Sequence, residues 1–133
     1  MTEYNTYLIL ENIRSAENVG AIFRTADAVG VKKLFLVGIT PAPIDRFGRI
    51  QPKIQKTALG AEESIEWEQV QTSKEIIKRL KDEGVRIVAL EQNEKATDYK
   101  ALSINDHVAL LVGAEVSGVE GDTLALCDDI VEI

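Results

Sequence analysis

Five short runs of branched apolar residues punctuate the chain: TYLILE (Thr6–Glu11), KLFLVG (Lys33–Gly38), VRIVALE (Val85–Glu91), HVALLVG (His107–Gly113) and DIVEI (Asp129–Ile133). Their apolar residues follow one another with little alternation, which predicts strands buried on both faces of a parallel sheet. Between them the period changes. Val19, Ile22, Phe23, Ala26 and Val29 recur at helical spacing, so a helix is expected over Asn18–Val29 with that face in the core and Asn18 as N-cap. TSKEIIKRLKDEG predicts a second helix, with Thr72 or Ser73 as N-cap and Gly84 as stop, and a shorter one is expected over Gly121–Cys127. Strands alternating with helices define an α/β fold: a mainly parallel sheet flanked by helices, joined by right-handed crossovers.

One stretch breaks the alternation. Gly38–Lys56 holds all three prolines and four basic residues, and reads as a long stiffened loop after a strand. In open α/β sheets ligands bind at the carboxyl ends of the strands, where this loop would lie.

At 133 residues the chain is expected to be one domain. The apolar runs are far too short to span a bilayer, and no basic stretch followed by an apolar block opens the chain, so a cytoplasmic location is expected. A single cysteine and a single histidine leave no metal cage, and no metal is expected. Cys127 reads as a small core residue, His107 as structural, and Asp128, Asp129 and Glu132 as surface. Net charge is −7, which argues against non-specific wrapping of nucleic acid. Residues 1–61 nevertheless carry 8 Lys/Arg against 5 Asp/Glu, a local +3, whereas residues 62–133 carry 7 against 17, or −10. That asymmetry suits an anion-binding surface on an acidic body.

Three places carry candidate chemistry. On the first helix Gly20 and Arg24 are four apart; helical side chains lean toward the N-terminus, so Arg24 would lie over the bare glycine and reach toward a helix start suited to phosphate. The plainer alternative is an Arg24–Asp27 pair on a solvated face, with Gly20 serving close packing. In LLVGAEVSGVEGD, Gly113, Glu115, Gly118 and Gly121 follow a buried strand, as in a backbone-lined ligand site or an ordinary glycine turn. Arg46, Arg49, Lys53 and Lys56 could position phosphates, or simply solvate a loop.

Taken together, these segments resemble a known family. ENIRSAENVGAIFRTADAVGV is similar to motif 1 of the SpoU (TrmH-type) RNA 2′-O-ribose methyltransferases of the SPOUT superfamily, ALLVGAEVSGVEGDTLALCDDIVEI resembles their motif 2, and KTALGAEESIEW matches a connecting segment. The resemblance implies an α/β sheet with a C-terminal trefoil knot, S-adenosylmethionine as methyl donor, structured RNA (tRNA or rRNA) as acceptor, and a homodimer. By the same resemblance Arg24, Asn18 and Glu115 are the catalytic positions, and Leu90, Gly113, Gly118 and Ile133 line the cofactor pocket. The family's motif 3, a Pro-Met-x-Gly turn before a final helix, has no counterpart before Ile133. The knot segment is therefore expected to be missing or incomplete in this chain.

The function implied is transfer of a methyl group to a ribose 2′-hydroxyl. The family's account casts the matching arginine as a general base; arginine stays protonated in proteins, so Arg24 reads instead as a clamp on the acceptor phosphate. Two rivals stand beside this: a catalytically incomplete fragment that binds RNA weakly, and a flavodoxin-like nucleotide-binding domain.

Overall fold

The computed structural model describes residues 4–91, 97–98, 106–114 and 118–132. Its centre is a seven-stranded, wholly parallel sheet in the order β3-β2-β1-β6-β4-β7-β5. The strands are β1 (Thr6–Glu11), β2 (Lys33–Val37), β3 (Glu66–Val70), β4 (Arg86–Leu90), β5 (Thr97–Asp98), β6 (Val108–Val112) and β7 (Asp129–Glu132). The five apolar runs are all strands, as expected. The central strand, β6, pairs Val108–Val112 with Thr6–Leu10 of β1.

Helices α1 (Ala16–Val29), α2 (Pro52–Ala58) and α3 (Ala61–Ser64) cover one face. There Leu10, Leu34 and Leu36 pack with Val19, Phe23 and Ile54. On the other face lies α4 (Ser73–Asp82), where Ile76, Ile77 and Leu80 meet Ile9, Phe35, Ile87 and Leu111; Leu124 of α5 (Gly121–Leu124) packs against the same cluster. The alternation of Ile9 and Leu10 between the two clusters is the strand's period of two, and it explains why the run is apolar throughout.

Several expectations are corrected. The first helix starts two residues early: Ser15 is its N-cap, in extended conformation, with Oγ accepting the Asn18 N–H at 3.1 Å. Asn18 therefore sits inside the first turn and not at the cap. Val29 is 71% exposed, at the last residue before the helix closes on Gly30, and the buried face of the helix ends at Ala26. The long loop ends at Gln51; Pro52 occupies the start of α2, where its missing N–H costs nothing, so Lys53 and Lys56 are helical residues. The last helix stops at Leu124, short of Cys127. For α4, Thr72 is the cap, accepting from Glu75 N–H, and Gly84 at φ +81° follows its C-cap Glu83.

Candidate active site

The site assembles where β1, β6 and β4 end side by side. Leu10 of β1 and Leu90 of β4 are both in register with Val112 of β6. The next residues are then level: Glu11, Gly113 and Glu91, a glycine between two carboxylates. Each carboxylate grips the turn that returns after Gly118. Glu91 Oε2 accepts the Val119 N–H at 2.7 Å, and Glu11 Oε1 accepts the Glu120 N–H at 3.0 Å. The second oxygen of Glu11 accepts the Ser73 hydroxyl at the start of α4, and Glu11 is 3% exposed. A carboxylate is tolerated at such depth because both oxygens are satisfied.

The two glycines are required by this closeness. A Cβ on Gly113 would stand 2.5–2.7 Å from the main chain of Gly118 and Val119. One on Gly118, whose φ is +66°, would meet the Glu91 carboxylate at 2.2 Å. The Gly118 N–H bonds to the Ala114 carbonyl at 2.7 Å, closing the turn. Of the expected pocket residues, Leu90, Gly113 and Gly118 are brought together at this edge. Glu115 and Ile133 lie outside the described residues.

Beside it, the β1 and β2 exits are knotted by hydrogen bonds. The buried Thr40 hydroxyl donates toward the Leu10 and Val37 carbonyls and accepts the Ile13 N–H. Asn12, at φ +52°, accepts the Ile39 N–H with Oδ1. Helix α1 leaves from here, but Arg24 does not stay at its start. It lies eight residues beyond Ala16, roughly 12 Å along the axis at 1.5 Å per residue. The space over Gly20 is closed to it as well: Ile54 and Thr57 of α2 fill that face, so Gly20 serves close packing. Arg24 is exposed, and among the described residues no ion pair engages it or Asp27.

After β2, Ile44 and Ile50 bridge antiparallel and fold residues between them into a small hairpin. Asp45 organises it: Oδ1 accepts the Phe47 and Arg49 N–H groups, and Oδ2 accepts Arg49 Nε at 2.8 Å. These bonds, led by the Arg49 N–H, hold the Asp45 carboxyl below its usual range. Arg46 and Arg49 flank Phe47, with guanidinium carbons 4.9 and 5.0 Å from the ring centroid.

The remaining candidates are structural. His107 Nδ1 accepts the Asn5 N–H at 2.9 Å, and Cys127 packs against the core with burial pushing its thiol up to about 11. Asp129 pairs with Arg86, and Asp128 accepts the Ile87 N–H at 2.7 Å. Among the described residues no cluster of His, Cys, Asp and Glu could hold a metal ion. Glu11 and Glu91 were not foreseen as site residues, although the signal was present: LILE and VALE end in the same acid after the same kind of run.

A parallel α/β sheet with a glycine turn at the carboxyl edge of its central strands defines a ligand-binding α/β domain. The family model of the SpoU rRNA Methylase family matches residues 5–133, and the chain belongs to that family. A putative TrmH family tRNA/rRNA methyltransferase of Staphylococcus aureus is 31% identical over 97% of this chain and 49% of its own length. The 23S rRNA (guanosine-2′-O-)-methyltransferase RlmB of Vibrio vulnificus is 29% identical over 95% of this chain and 48% of that protein. The AdoMet-bound rRNA methyltransferase of Sinorhizobium meliloti superimposes with a TM-score of 0.88 at 27% identity, covering 99% of this chain and 48% of that one. The chain thus spans about half the length of the curated relatives it matches. Among the described residues no helix is long and apolar enough to cross a membrane.

Proposed function

We propose that the chain is the methyltransferase unit of an S-adenosylmethionine-dependent enzyme that methylates a ribose 2′-hydroxyl of tRNA or rRNA, acting in the cytoplasm as a homodimer. The observation that carries this reading is the match to a guanosine-2′-O-methyltransferase of rRNA over 95% of the chain. The sheet edge supports it chemically. Beside the apolar Leu90 it presents main chain at Gly113 and Gly118, held in place by Glu11 and Glu91. Such a backbone-lined edge suits the adenine and methionyl parts of S-adenosylmethionine, with Ile133 assigned to the same pocket.

Bound there, the cofactor would supply a methyl group on a sulfonium, already an activated leaving group. The chain's own work is positioning. Arg24 clamps the phosphate beside the acceptor ribose and stabilises negative charge growing on the 2′-oxygen, whose proton passes to solvent as the oxygen takes up the methyl group. Asn18, six residues earlier on the same helix, and Glu115 are assigned to orient the acceptor. Arg46, Arg49, Lys53 and Lys56 hold the RNA backbone.

Calorimetry with S-adenosylmethionine, paired with a methyl-transfer assay, tests this. Wild type is expected to give a binding heat and transfer. Arg24→Lys keeps the charge but loses the planar fork, and is expected to bind cofactor normally while transfer falls about 100-fold. Full transfer by Arg24→Lys would sink the clamp. Absence of any cofactor heat would favour the incomplete fragment.

A further inference from the structure

We propose that the Ile44–Ile50 hairpin is a stacking platform for an unpaired nucleotide, with Phe47 as the stacking ring and Arg46 and Arg49 as its flanking cations. The inference rests on the RNA methyltransferase reading and adds the class of RNA it takes: a single-stranded or looped-out nucleotide next to the acceptor, instead of continuous duplex.

Phe47 is 67% exposed at the tip of the hairpin, and Ile44 and Ile50 at its base are exposed too. The turn does not need the ring for its own packing. Asp45 and the Ile44–Ile50 bridge already fix the backbone, so the aromatic is held out on a preorganised support. Preorganisation lowers the ordering cost of binding. Charge then selects the occupant. Gly38–Lys56 carries four basic residues and one acid, a local +3 on a chain of net −7, and that acid is already engaged by Arg49. An aromatic ring between two guanidiniums suits a base with its phosphates: the base stacks on the ring or on an outer guanidinium face, and the cations meet the backbone. A plain apolar partner surface would leave the Arg46 guanidinium uncompensated, since Asp45 meets only Arg49.

The base must be unpaired, because within a duplex its faces are covered by neighbours. An open cleft of about 440 Å³ adjoins the ring, lined by Thr40, Gln51 and Gln69 among others. Its amide side chains can donate to and accept from a base edge. The hairpin also stands on the correct edge of the sheet. It follows β2, which is two strands from β6 and hence roughly 10 Å from Gly113 at the usual strand spacing.

The test compares a short single-stranded oligouridylate with an RNA duplex of equal phosphate count, both followed by fluorescence anisotropy. Phe47→Ala is expected to weaken single-strand binding about tenfold. Duplex binding is expected to change by less than about twofold, since phosphate contacts alone remain. Phe47→Trp is expected to keep single-strand affinity, with its added indole emission quenched on stacking. Equal loss on both RNAs, no loss on either, or no RNA binding by wild type overturns the proposal. So does an effect of Phe47→Ala on self-association in place of RNA binding, which would mark a protein-docking patch. Calorimetry of the wild-type chain with S-adenosylmethionine separates the two claims. Cofactor binding without discrimination by Phe47 removes the platform alone. Discrimination without cofactor binding removes the methyltransferase reading alone.

Discussion

Replacing Gly20 by alanine is expected to destabilise the fold, even though alanine is the better helix former. On an open helix face the change would stabilise by about 1 kcal/mol. Gly20 sits at the α1–α2 crossing, and an added Cβ would lie 1.8 Å from Thr57 Oγ1, 2.8 Å from the Ile54 carbonyl oxygen and 3.0 Å from Thr57 Cβ. The hydroxyl can rotate away, giving up its bonds to the Lys53 and Ile54 carbonyls at 2.9 and 3.4 Å. The Ile54 carbonyl is main chain and yields only if α2 moves. Overpacking of this kind costs up to about 3 kcal/mol, and with both a side chain and a backbone atom in the way the upper half of that range applies. Subtracting the propensity gain leaves a net loss of about 1–2 kcal/mol. Urea unfolding followed by circular dichroism reads this directly. At a slope near 2 kcal/mol/M the midpoint is expected to fall by roughly 0.5–1 M with the slope unchanged. In a Thr57→Ala background, which removes the nearest atom but leaves the carbonyl, the penalty of Gly20→Ala is expected to shrink without vanishing. A midpoint for Gly20→Ala at or above wild type would refute the close contact, and with it the claim that this glycine exists for α2.

Three further outcomes follow from the same contacts. Glu11→Ala strips the Ser73 hydroxyl and the Glu120 N–H of a buried acceptor, and is expected to cost about 2–4 kcal/mol in urea unfolding, with Glu11→Gln roughly halfway because only one of its side-chain atoms can accept. The Cys127 thiol, pushed up to about 11 by burial, is expected to react with iodoacetamide at pH 8 more than about 100-fold slower than a free thiol, with the rate still rising toward pH 11. Hydrogen bonds from Arg79, and then from Lys33, hold the half-buried Glu68 below its ordinary range. A depressed carboxyl contributes stability above its unfolded pKa and loses it on protonation. Glu68→Gln is therefore expected to be less stable than wild type by up to about 1 kcal/mol at pH 7, the two converging as pH falls from about 4.5 through the lowered folded value.

The strands that the sequence made legible are those buried on both faces. The cores of β1, β2, β4 and β6 are apolar regardless of which side each residue faces, so nothing in them mimics a helix; β7 is legible only from Ile130 and Val131 between two acids. β3 escaped because it is an edge strand bonded only to β2, with Glu66 and Gln69 exposed, and EWEQV carries no apolar run. α2 escaped because it is seven residues long and opens on Pro52, which serves equally as loop stiffener and helix start. The helix cap was ambiguous for a similar reason: Ser15 and Asn18 are both good caps, and only the backbone at Ser15 decides between them. At the site, spacing revealed the glycines but not their partners. Gly113 and Gly118 read as a turn after a strand, whereas Glu11 and Glu91 matter through strand register, which brings residues 80 positions apart to one level. Helical spacing shows that Gly20 and Arg24 share a face and says nothing of what covers it; α2, and not Arg24, fills the space over Gly20.

The central claim, that this fold places a methyl group on a ribose oxygen, is tested most directly by the product. The chain is incubated with S-adenosylmethionine labelled in its methyl group and with unmodified tRNA and rRNA, and the RNA is digested to nucleosides and separated by mass spectrometry. Label is expected in 2′-O-methylnucleosides, falling about 100-fold with Arg24→Lys. Label on a base, or transfer that survives Arg24→Lys unchanged, would contradict it.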